Sequence, residues 1–142
     1  MYSDSFRERA EVIAKAIGEL CGGCERFLAV GLGNYALTSD AVGPLTAEKI
    51  FATRHIKSLA KEIDTDDLGE VTVIQPGVLG NTGIESSEQV KAIAERVTPQ
   101  AIIAVDALAC SELSNLGRTI PAFLREAESK THEKSFRFRP SV

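Results

Sequence analysis

The sequence predicts an α/β protein with three layers, α/β/α, built on a mostly parallel sheet. Three observations carry that prediction. Short apolar runs (Phe27-Leu28-Ala29-Val30, Val71-Thr72-Val73-Ile74 and Ala101-Ile102-Ile103-Ala104-Val105) alternate with longer stretches of helical period. The runs are nearly continuous in apolar character, as parallel strands covered on both faces are. Each run leads into a glycine-rich loop or onto an aspartate, and ligands of open parallel sheets bind outside the carboxyl ends of the strands.

In chain order, Phe6, Ala10, Ile13, Ile17 and Leu20 recur at helical spacing. Ser3 or Asp4 can cap that helix and Gly22-Gly23 can stop it. The first strand is expected from Phe27 to Leu32. A second helix is expected from Pro44 to about Lys61, with proline at an early position and His55 on it as a structural residue. Asp64, Asp66 and Asp67 read as a solvated turn, because they lack the spacing and glycine of a calcium loop. The second strand ends in Gln75-Pro76-Gly77, followed by Gly80, Asn81 and Gly83. Ser86 or Ser87 can cap a third helix with Val90, Ile93, Ala94 and Val97 on its apolar face, and Pro99 ends it. After the third strand a helical turn is expected at Cys110–Leu116, and a fourth strand begins near Arg118-Thr119-Ile120.

The length of 142 residues suits one domain, here residues 1–128, followed by a basic, poorly ordered tail over 129–142. The net charge of -4 is uneven, with a positive tail on an acidic body. It argues against bulk electrostatic binding of nucleic acid. No stretch is apolar for the ~20 residues a membrane span needs, and Met1 to Glu11 lacks a signal-peptide core. With an odd count of three cysteines, the chain reads as cytoplasmic. Cys21 and Cys24 share a C-x-x-C spacing, but they follow a helix end, where the redox motif instead opens a helix. A zinc site would need two more ligands.

The chemistry centres on Gly31 to Pro44, GLGNYALTSDAVGP, and on the aspartate that ends the third strand. GLGN departs from the dinucleotide fingerprint, with Ala36 in the last glycine position and Gln75 where an acidic residue is required. There is no G-x-S-x-G. No metal and no nucleotide cofactor is therefore expected. Asp40 and Asp106 remain, each past a strand end. Close carboxylates can share a proton, one activating water and the other acting as acid. Such aspartates also cap helices or bind loop amides, and the residues alone leave both readings open.

The blocks GLGN-x(5)-DAVGP, TRH, PGVLGNTGIESSE and IAVDALA, spread over Val30 to about Ile120, resemble the germination proteases of spore-forming bacteria in order and spacing. The resemblance implies an endopeptidase that degrades small acid-soluble spore proteins in the spore core. It also implies synthesis as a zymogen, a homo-oligomer, and catalysis by two aspartates. Those two match Asp40 and Asp106. The match stops after Ile120, where Pro121 to Glu126 replace the family's serine-aspartate-threonine-glycine stretch. A catalytically inactive interaction module is thus the alternative. The fold is also similar to that of hydrogenase maturation proteases, which implies a metal-dependent peptidase. Here, however, Ala41 follows Asp40 and no histidine lies near the third strand.

Overall fold

The computed structural model describes residues 4–59, 65, 68–108, 119–125 and 131–137. The chain divides into two units, one of residues 25–108 and one of residues 1–24 with 109–142.

The first unit is built on β1 (Arg26–Gly31), β2 (Glu70–Ile74) and β3 (Ala101–Val105), in the order β2-β1-β3 and all parallel. The class is α/β, as expected. Leu28, Ala29, Val30 and Gly31 of the central strand are consecutive and all buried. Side chains alternate between faces along a strand, so both faces of β1 are covered. One cover is α2 (Val42–Ala47). A side-chain carbon added at Gly31, on the Ala29 face, would lie 2.8 Å from Cβ of Ala47. Helix α5 (Ser86–Val97) also packs on β1, and its Val90, Ile93, Ala94 and Val97 are half-buried. Burial on both faces holds for β1 only. β2 is half-buried throughout and Ala104 of β3 is exposed, because both strands flank the centre.

The single helix expected from Pro44 to about Lys61 is two helices, α2 and α3 (Arg54–Leu59). The break has a hydrogen-bonding cause. Thr53 is buried, and its N–H donates to Val71 O at 3.0 Å. Its hydroxyl accepts from Val71 N–H at 2.9 Å and donates to Gly69 O. Residues 48–53 leave the helix so that Thr53 can occupy the edge of β2 that β1 does not use. Open strand edges are a pairing liability, and this covers part of one. His55 lies exposed on α3.

Short helix α4 (Leu79–Thr82) follows β2, and α5 ends at Thr98, whose N–H bonds Ala94 O in a left-handed cap. Gln100 then fixes the entry to β3. Its side-chain oxygen accepts from Glu25 N–H at 2.7 Å and Arg26 N–H at 3.0 Å, tying the starts of β1 and β3 together.

In the second unit, α1 spans Asp4–Leu20, and the turn that follows it contains Gly23, whose φ of 83° is one a glycine takes without strain. Gly18, inside α1, has nothing within 4 Å of where a Cβ would stand. Gly18→Ala is expected to stabilise the chain by about 0.5–1 kcal/mol, since alanine costs less backbone entropy in a helix. Thermal unfolding checks this, and a lower midpoint would refute it.

β4 (Thr119–Arg125) pairs antiparallel with β5 (Thr131–Arg137). The fourth strand expected near Arg118-Thr119-Ile120 thus exists, but in a separate two-stranded sheet. Pro121 explains the placement, because proline lacks the N–H a central strand would need and both strands of a pair are edges. β5 was not expected, because Thr131 to Arg137 lacks apolar alternation. The helical turn expected at Cys110–Leu116 and the Asp64, Asp66 and Asp67 cluster lie outside the described residues.

Candidate active site

The loop after β1 carries the first candidate carboxylate. Leu32 N–H donates to Val105 O at 2.8 Å, which extends the β1–β3 ladder one residue beyond Gly31. The chain then turns at Gly33, where φ is 121°. A side chain there would be strained, and its Cβ would run into the Asp40 carbonyl and approach Asp40 Oδ1 at 3.1 Å. Asn34 N–H donates to Asp40 Oδ2 at 2.8 Å and also to the Asp40 carbonyl at 3.1 Å. Asn34 Oδ1 accepts from Ala36 N–H at 3.0 Å, which tightens the loop. Asp40 closes a short 3-10 turn, Thr38–Asp40, with its N–H on Leu37 O at 2.8 Å. Its carboxylate is half-buried, and among the described residues only Oδ2 has a partner.

Asp106 follows β3 directly. It is exposed, and its Oδ1 accepts from Ala107 N–H at 2.8 Å. Gly31 is paired with Val105, so Asp106 stands one residue past the end of the strand beside β1. Gly43 closes the arrangement. A Cβ on it would collide with the carbonyl oxygens of Leu32 and Val105 and lie 2.7 Å from Leu32 N. The first turn of α2, where Gly43 stands three residues after Asp40, is therefore pressed onto the backbone that immediately precedes Asp106. In a sheet of order β2-β1-β3 the direction of winding reverses between β1 and β3, and this is the crevice where such folds bind ligands. Both candidate aspartates follow the two strands that flank it.

A cleft of about 220 Å³ lies on the other side of β1. Asn34, Tyr35 and Ala36 from the loop after β1 line it, together with Gln75, Val78 and Asn81 from the loop after β2. Neither aspartate lines it, but Asn34 belongs both to its wall and to the hydrogen bond that holds Asp40. The second glycine-rich loop is visible in the sequence as QPGVLGNTG. What the sequence does not show is that this loop and Tyr35 line one open cleft.

Cys21 and Cys24 are free thiols, Cys21 buried and Cys24 half-buried. Burial pushes the Cys21 thiol above its ordinary range, and Cys24 adds to the shift. The thiolate is the nucleophile, so raising the thiol leaves less of it at a given pH. Cys21 is expected to react with iodoacetamide more slowly than free cysteine at pH 8, with the gap closing at higher pH. Mass spectrometry of the alkylated chain checks this, and faster labelling would restore the redox reading. Among the described residues, no three His, Cys, Asp or Glu side chains gather as metal ligands would. No described helix is long and apolar enough to cross a membrane.

The sequence model of a family described as germination protease matches residues 10–123. A germination protease from Clostridium tetani is 48% identical over 123 residues, covering 84% of this chain and 38% of its own length. One from Clostridium perfringens is 41% identical over 115 residues, covering 80% of this chain and 35% of its own. One from Halalkalibacterium halodurans is 45% identical over 93 residues, covering 66% of this chain and 25% of its own. The chain spans about a third of the length of the first two. With most of its length matched and the strand-end loops inside the match, the chain belongs to the germination protease family.

Proposed function

We propose that the chain is an endopeptidase that hydrolyses small acid-soluble spore proteins, with Asp40 and Asp106 as its catalytic pair. The observation that carries this reading is the pairing of β1 with β3. It sets the two aspartates on neighbouring loops at the crevice where the winding of the sheet reverses. Family membership supports the substrate class, and it supports action in the spore core as a homo-oligomer.

In the proposed reaction, one aspartate takes a proton from a water as the water oxygen bonds to the scissile carbonyl carbon. The other gives its proton to the leaving nitrogen as the carbon–nitrogen bond breaks. Protons and electrons balance with neither metal nor nucleotide. The Asn34 N–H engages Asp40 Oδ2, leaving Oδ1 as the oxygen for water. Asp106 is exposed and engages Ala107 N–H through Oδ1 only.

The test is to incubate the purified chain with a small acid-soluble spore protein and follow the products by mass spectrometry. Internal cleavage that Asp40→Asn and Asp106→Asn each abolish is the expected result. No cleavage by the unaltered chain, or cleavage indifferent to both changes, would overturn the reading.

A further inference from the structure

The cleft between the loops after β1 and β2 takes no part in the proton transfers. We propose that it is the specificity subsite of the same site, receiving one uncharged, apolar side chain of the substrate polypeptide close to the bond that is cut. This rests on the peptidase reading above. Size is the first argument. At about 220 Å³ the cleft is smaller than the ~300–1,000 Å³ typical of small-molecule and cofactor sites, which is a scale suited to a single side chain.

Chemistry is the second argument. None of the residues lining the cleft is charged; Tyr35, Ala36 and Val78 offer apolar surface. A charged side chain placed there would give up part of its water and find no opposite charge to pair with, which disfavours it against an apolar one. Asn34, Gln75 and Asn81 add amides suited to the uncharged peptide groups on either side of that side chain.

Position is the third argument. Neighbouring strands are ~4.8 Å apart, and an extended peptide advances ~3.3 Å per residue. A substrate crossing the carboxyl end of the sheet from β3 over β1 toward β2 would therefore reach the cleft within about two residues of the aspartates. Asn34 joins the two parts, since it lines the cleft and its N–H holds the Asp40 carboxylate.

The loop after β2 is also held in shape before any substrate arrives. Ser86 Oγ donates to Gly77 O at 2.8 Å and Gln89 Nε2 donates to Ile84 O at 3.1 Å. The Gly83 N–H donates to Leu79 O at 2.8 Å. A subsite built on braced elements discriminates between side chains better than one on a loose loop.

The experiment has two arms. In the first, the amide NMR spectrum of the chain is recorded with capped peptides that carry Leu, Ala, Asp or Lys at one central position. The Leu peptide is expected to shift amides of residues 33–36 and 75–81, the Asp and Lys peptides are not, and Ala36→Phe is expected to remove the Leu response. In the second, the same peptides are tested as substrates. Ala36→Phe is expected to lower kcat/KM for the Leu peptide by about tenfold or more while sparing the Ala peptide. Val78→Lys is expected to move preference toward the Asp peptide. Thermal unfolding of both variants verifies that they fold. Shifts confined to other residues, equal responses to Leu and Asp, or a preference untouched by both variants in a cleaving chain would overturn the subsite. No cleavage of any peptide by the unaltered chain would strike the peptidase reading, and cleavage that survives Asp40→Asn would strike the catalytic role of Asp40, while the NMR arm would still report on the cleft.

Discussion

Gly43→Ala is expected to destabilise the chain by at least about 3 kcal/mol, the upper end of what overpacking costs. The added Cβ would meet the carbonyl oxygens of Leu32 and Val105, and both are backbone atoms at the end of the β1–β3 ladder, where Leu32 N–H bonds Val105 O. No rotamer change can relieve the clash. Either α2 lifts from the sheet or Leu32 N–H loses its bond to Val105 O. A loss of that size lowers the unfolding midpoint by roughly 10 °C or more. Gly80→Ala is the control, since nothing lies within 4 Å of a Cβ there, and its midpoint should scarcely move. Equal stability of the two variants would show that α2 does not depend on this close approach. The change should also impair the site, because the same contact ties the segment after Asp40 to the backbone before Asp106.

The sequence was most legible where one residue settles one question. Each of the three apolar runs is a strand within a residue or so of its expected bounds, because an unbroken apolar run of that length admits few other structures. Asp106 stood out because it stands just past such a run, and Asp40 because it is the one carboxylate in the loop that follows another. Legibility failed where structure depends on a partner far along the chain. Helical spacing from Pro44 to Lys61 could not reveal that the Thr53 hydroxyl is taken by β2. The pairing of Thr131–Arg137 with β4 has no apolar pattern to announce it. The bond from Asn34 N–H to Asp40 depends on the positive φ of Gly33, which glycine permits but does not dictate. The cleft was hidden for a related reason. Tyr35 and Val78 become neighbours only once β1 and β2 are paired.

The two readings of the aspartates left open by the residues, catalytic pair and loop cap, now meet in one experiment. Each carboxylate does bind a loop amide, Asp40 that of Asn34 and Asp106 that of Ala107. Asparagine keeps a side-chain oxygen able to accept those same N–H groups but cannot exchange a proton as a carboxyl group does. Asp40→Asn and Asp106→Asn are therefore expected to change stability by no more than about 1 kcal/mol each, the scale of one altered hydrogen bond. Cleavage should fall about a thousandfold in each, within the range for loss of a general acid or base. The double variant should cleave no more slowly than either single one, because groups acting as one unit are not additive. Asp40→Ala supplies the contrast, since it removes the acceptor as well as the acid. If cleavage survives both asparagine changes and falls only with alanine, in step with lost stability, the aspartates are caps. If the asparagine variants fold as the unaltered chain does and do not cleave, proton transfer is what the carboxylates supply.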